Sequence, residues 1–206
     1  MSDHQIVEVA LELIRRDGAD RFSMRQLAKE LGVTPMAIYY YFPNKDALFE
    51  HVADAVLARV PRPLSTGRSW REDMKECALH GFRLLSEYPG LSAQIVKRPP
   101  TKQAIELGLY GIAVLEAAGF DCKAAARVTT ICQTFMFGMI GLQAQVERGQ
   151  RRKRKAGAEA GLEQVDVPGL AEFGLDALLL GLNEALVRTQ AARGATTPTR
   201  RRRTGT

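Results

Sequence analysis

The stretch from Ser23 to Lys45, SMRQLAKELGVTPMAIYYYFPNK, leaves this chain little choice of local structure, because it spells two short helices joined by a tight turn. Ser23 is a good N-cap, and Gln26 three positions on can bond back to it, so a capping box opens the first helix. Met24, Leu27, Ala28 and Leu31 recur at one-face spacing, and Gly32 offers the backbone freedom needed to leave the helix. Thr34 then caps a second helix whose first position is Pro35, where a missing N–H costs nothing. Ile38 and Phe42 point this helix at a core, while Pro35, Met36, Ala37, Tyr39, Tyr40 and Tyr41 fill its start and outer side. Asn44 caps a third helix at Lys45. The pattern predicts a helix-turn-helix. Three consecutive tyrosines suit a wet surface better than a core, since each buried phenol needs a hydrogen-bond partner. Phosphates are such partners, and a cation and free helix N-terminal N–H groups converge at Lys45.

The capped scanning helix, the L-G-V turn and the recognition helix ending Y-Y-x-F-x-N-K stand here in the order found near the N-terminus of the tetracycline-repressor (TetR/AcrR) family of bacterial regulators. Over about residues 6–56 the chain resembles that family. The alternative for the same residues is a plain helical hairpin with a wet aromatic patch. The resemblance implies that Arg25 reaches a base edge or a phosphate and that Pro35, Met36 and Tyr40 sit at the groove. It implies phosphate contacts by Thr34, Ala37, Tyr39, Tyr41 and Lys45 through hydroxyls, backbone N–H or charge. The family often carries His where Tyr41 stands.

At 206 residues and 46% hydrophobic content the chain can bury a sizeable core in one or two domains. Its apolar runs fall short of the ~20 residues of a membrane span and no leader pattern opens it, so a cytoplasmic protein with no membrane partner is expected. Cys77, Cys122 and Cys132 lack any C-x-x-C pair and read as buried free thiols, not as disulfides or a zinc site. The net charge of +6 does not mark a basic reading domain: up to Val60 there are seven Lys/Arg against nine Asp/Glu. Positive charge is concentrated in two tracts, Arg151–Lys155 and Arg200–Arg203. Each reads either as a solvated run or as an auxiliary arm on DNA phosphates.

Along the chain, Asp3 is expected to cap a first helix with Ile6, Ala10, Leu13 and Ile14 on one face. The helix opened by Asn44 runs toward Pro61 and Pro63, and a turn-rich joint at 61–69 precedes a helix near Trp70. Pro89-Gly90 and Pro99-Pro100 break the chain, Thr101 caps a helix to about Ala118, and Asp121 caps the longest pattern, apolar on more than one face. Residues 149–166 read as a surface loop. The last helix starts near Asp166-Val167-Pro168. No strand pattern is visible, which makes the fold all-α. The expected division is a helix-turn-helix DNA-binding domain over 1–60, a helical regulatory and dimerisation domain over 61–193, and a basic disordered tail over 194–206. Gly138 and Gly141 in one long helix, and Gly174, Leu178 and Gly181 in the last, offer flat strips for another helix. The resemblance implies that these two helices pair with their copies in a homodimeric four-helix bundle.

His4, His51 and His80 are scattered, and no H-E-x-x-H, G-x-S-x-G, P-loop or dinucleotide motif is present, so no enzyme, cofactor or metal is expected. Candidates for a small-molecule site are Cys77, His80, Tyr110, Gln133, Phe135 and Met136, which mix apolar bulk with a few polar tips. Plain core packing is the competing reading for each. Tetracycline itself is disfavoured, because its mode in the family uses a histidine-anchored magnesium and no histidine follows His80. The sequence is therefore read as a homodimeric regulator of a palindromic double-stranded operator, most simply a repressor released by a small apolar or amphipathic effector. Control by a protein partner, or no ligand control, is the alternative. An all-α enzyme or ligand carrier is the more distant one.

Overall fold

The computed structural model describes residues 1–62, 67–155 and 165–195, which form helices and connecting turns with no strand. Ser2, not Asp3, caps α1 (Asp3–Asp17): its hydroxyl accepts the Gln5 N–H at 3.3 Å, while Asp3 lies in the first turn, where a carboxylate meets the positive end of the helix dipole. In α2 (Met24–Glu30) the Ser23 hydroxyl accepts Gln26 N–H at 3.2 Å. The box is not completed, because the Gln26 amide donates instead to Asp17 Oδ2 at 2.8 Å and ties α2 to the end of α1. Gly32 turns the chain at φ +67°, in the left-handed region that a side chain disfavours. Thr34 occupies the N-cap position of α3 (Pro35–Tyr41) without making a side-chain capping bond. Asn44 does cap α4 (Lys45–Leu57), accepting Ala47 N–H at 2.8 Å.

Ile6, Ala10, Ile14, Leu27, Ile38, Leu48 and Val52 from these four helices are fully buried together. A side chain of that size is worth ~1.5–3 kcal/mol on burial, enough to hold short helices that would melt alone. Phe22 meets Phe49 edge-on with centroids 5.4 Å apart, closing the core beneath the start of α4.

The rest of the molecule is built on α5 (Trp70–Ser86), α6 (Leu91–Val96), α7 (Lys102–Ala117), α8 (Cys122–Lys155) and α9 (Val167–Ala195). A complete capping box, Ser69 with Glu72, opens α5. α8 packs against α5, α6, α7 and α9 and is the spine of this part. It runs on through Arg151–Lys155, where a loop was expected, because Arg, Lys and Gln are good helix formers and propagate a helix already started. α9 likewise extends to Ala195, two residues into the expected tail, while Arg200–Arg203 lie outside the described residues. Over Cys122–Gly149, α8 is long and apolar enough by length and composition to cross a membrane, although polar residues interrupt its apolar runs. Its apolarity is spread over two faces, one of which buries Ala125, Val128, Cys132, Met136 and Ile140 in the body.

Several bonds join α1–α4 to the body. Arg15 donates to Glu87 and to the Tyr88 hydroxyl at 2.8 Å each, Arg59 to the Tyr88 hydroxyl at 3.3 Å, and Ala19 N–H to Pro89 O at 2.8 Å. Asp54 of α4 accepts Gln103 N–H at 2.9 Å, capping α7 from another helix alongside Thr101.

Candidate nucleic-acid interface and regulatory cavity

On a helix of only seven residues, α3 leaves Met36 75% and Tyr40 86% exposed, with Tyr39, Pro35 and Thr34 also in water. Such apolar bulk on a short polar-flanked element marks a surface for contact. Arg25 on α2 is exposed and unpaired among the described residues. Ala37 is half-buried. Tyr41 is turned inward: its hydroxyl donates to Met1 O at 2.8 Å and its ring meets Tyr40 edge-on. Lys45 is likewise held, donating to Phe22 O at 2.8 Å with its ammonium 5.5 Å from the Phe22 ring centre and 5.2 Å from that of Phe49. Burial, and next the nearby Arg98 charge, hold the Lys45 ammonium below the ordinary lysine range.

Arg98, which carried no signal in the sequence, stacks on the same Phe49 ring at 5.2 Å and pairs with Asp46 in the first turn of α4. It also donates to the carbonyl and the amide oxygen of Gln94 at 2.7 and 3.0 Å. The guanidinium thus bridges α4 to the end of α6.

Arg98 also lines a cavity of about 320 Å³ walled by α4 to α8 and partly open to solvent, at the small end of the size range of small-molecule sites. Leu57, Met74, Phe82, Ile95 and Ile140 make most of its wall apolar. Of the six predicted ligand residues, Cys77, Tyr110, Gln133 and Met136 line it, Gln133 from an exposed position. His80 does not; it stays half-buried on α5. Phe135 does not either, because its ring fills the space left by Gly174, where a Cβ would stand 2.5 Å from Phe135 Cζ. Burial pushes the Cys77 and Cys132 thiols up to about 11 and the Tyr110 phenol up to about 12, so all three are neutral near pH 7, whereas Cys122, expected to be buried, is exposed at the start of α8. Thr129 is a wall residue that the sequence did not single out. Among the described residues no group of three or more His, Cys, Asp or Glu is placed to hold a metal ion.

Gly174 therefore serves the contact between α8 and α9 inside the chain. Among the described residues Gly138, Gly141 and Gly181 have nothing within 4 Å of an added Cβ, whereas Leu178 is half-buried against the core. Beside them Ile131, Leu170, Phe173 (73% exposed) and Leu180 leave an apolar surface on α8 and α9.

A helix-turn-helix head with an exposed aromatic helix, joined to a helical body around a cavity, defines the class of helical DNA-binding transcriptional regulators. The family model for bacterial regulatory proteins of the tetR family matches residues 6–52. The chain is 28% identical over 178 residues to an HTH-type transcriptional regulator of Saccharopolyspora erythraea, covering 83% of this chain and 74% of that one. It is 30% identical over 153 residues to the class C tetracycline repressor protein of Escherichia coli, covering 72% and 68%. Among solved structures, a variant of TetR from Acinetobacter baumannii AYE in complex with minocycline superposes with a TM-score of 0.75 at 27% identity, covering 90% of this chain and 98% of that one. The chain belongs to the TetR family of DNA-binding transcriptional regulators and is not an enzyme.

Proposed function

We propose that the chain acts as a homodimeric repressor that binds a palindromic operator and is released by a small molecule taken into the cavity. The observation that carries this reading is the position of Arg98, with one side in the cavity wall and its guanidinium on Asp46 and Phe49 at the base of the reading head. A molecule entering the cavity meets the group that fixes the start of α4, so occupancy of one site biases the geometry of the other.

Within this reading Arg25, Pro35, Met36 and Tyr40 meet the groove, and Thr34, Ala37, Tyr39, Tyr41 and Lys45 meet phosphates. The α8 and α9 surface at Gly138, Gly141, Gly181 and Phe173 receives the second copy, because a single seven-residue recognition helix reads too few bases for useful specificity. The domains divide near residue 60. The related repressors and the minocycline complex support the DNA and ligand roles. Retardation of DNA from upstream of the chain's own gene tests the first role, and a screen for compounds that abolish that retardation tests the second. Retardation that no small molecule relieves would favour control by a protein partner.

A further inference from the structure

The cavity wall holds a hydroxyl whose hydrogen bond is unspent. Thr129 is 5% exposed and its Oγ1 is buried without a hydrogen-bond partner among the described residues. Its neighbours Thr130 and Thr134 donate to the carbonyls one turn back at 2.8 Å, which is the usual outlet for a threonine on a helix. Thr129 instead packs on Gly111 of α7, where an added Cβ would stand 3.0 Å from both its Oγ1 and its Cγ2. A glycine inside a helix and an unpaired buried hydroxyl are each destabilising, and here they coincide at one point of a cavity wall. The missing side chain lets both branches of Thr129 lie against α7, and a turn about its Cα–Cβ bond to another staggered position is what brings Oγ1 from Gly111 to the cavity.

The other polar groups of the wall narrow the chemistry. The thiols of Cys77 and Cys132 and the phenol of Tyr110 are neutral, and Gln133 is an amide. Among the described residues the only charge in the wall is Arg98, already engaged by Asp46 and Gln94, and no carboxylate lines the cavity to meet a cation. A charged molecule would be desolvated there with no free counter-charge.

We propose that the cavity takes an uncharged, mainly apolar molecule bearing a carbonyl or hydroxyl oxygen, and that the Thr129 hydroxyl, opposite Gly111, binds that oxygen. This rests on the reading of the cavity as the effector site and adds the chemical class of the effector. The test is equilibrium dialysis of the full chain, as wild type, Thr129→Val and Thr129→Ser, against 1-indanone, indane, indane-1-carboxylate and 1-aminoindane. The wild type should hold the neutral compounds and bind the charged ones at least about tenfold more weakly than the ketone. The ketone-to-hydrocarbon affinity ratio should fall about five- to tenfold in Thr129→Val and be kept in Thr129→Ser. Because only an unpartnered hydroxyl is lost, Thr129→Val should melt no lower than the wild type. The proposal is overturned by a ratio that Val leaves unchanged, by a charged compound that binds as well as the ketone, by absence of binding of both neutral probes at their solubility limits, or by a lower melting temperature of Thr129→Val. Release of bound DNA is read separately: ketone binding with the expected Thr129 dependence but no release upholds the ligand class and refutes release as the mode of action.

Discussion

Between the rings of Phe22 and Phe49, the Lys45 ammonium donates one of its three N–H groups to the Phe22 carbonyl, and on the proposed reading the other two meet a phosphate. Lys45→Ala should weaken binding to all DNA sequences alike and reduce the slope of log affinity against log salt by about 1. Unaltered affinity and slope would show that the lysine only fastens α4 to the turn before α2. Arg25 differs, being exposed and unpaired among the described residues; if it reads a guanine, Arg25→Ala costs ~1–3 kcal/mol and relaxes preference at one base position, whereas a phosphate role gives a uniform loss. The buried thiols set a third expectation. Cys77 and Cys132 are raised in the folded chain from 9.0 to about 11, so the unfolded chain gives up these protons first. Their contribution to stability is whole below pH 9 and is lost as pH rises toward 11. Urea unfolding of wild type and of a Cys77→Ala/Cys132→Ala chain should show a shallower decline in the variant across that window, and parallel declines would contradict the assignment.

Gly174 and Gly181 lie on one helix, seven residues apart, yet the two should respond oppositely to enlargement. Gly174→Ala drives a Cβ to 2.5 Å from Phe135 Cζ, and overpacking of this kind typically costs ~1–3 kcal/mol of folding stability. A Cβ added at Gly181 meets nothing within 4 Å among the described residues, so Gly181→Leu should leave the monomer's melting behaviour unchanged while dimers dissociate in light scattering. A Gly181→Leu chain that stays dimeric would move the interface elsewhere. The sequence could not separate these glycines, because a seven-residue spacing places both on one face but does not say whose side chain faces it. Caps were legible to the residue where a Ser or Asn had one choice, as at Ser23 and Asn44. They were misread where a competing partner existed: Asp17 takes the Gln26 amide, and Ser2 stands one position before Asp3. The extent of α8 was missed because Gly and charge clusters suggest a loop, while an established helix extends through Arg and Lys at little cost.

At the scale of the whole molecule, the head was readable from local signals and the cavity was not. Cys77, Tyr110, Gln133 and Met136 stand out in the sequence as polar or bulky residues on inner helices, but Thr129 and Arg98 acquire meaning only through Gly111 and Asp46, distant in sequence and brought close by packing. Asp46 is largely exposed, so its pair with Arg98 adds little to stability; Asp46→Asn should change the melting point slightly yet weaken the dependence of DNA affinity on ligand. Equal ligand dependence in Asp46→Asn and wild type would remove Arg98 from the link. The most direct test of a dimeric, operator-reading regulator is selection of bound duplexes from a random-sequence library by the full chain. The expected outcome is enrichment of an inverted repeat whose half-site centres lie about 34 Å, or a multiple of that helical turn, apart. Enrichment of a lone half-site, or no enrichment above random DNA, would contradict it.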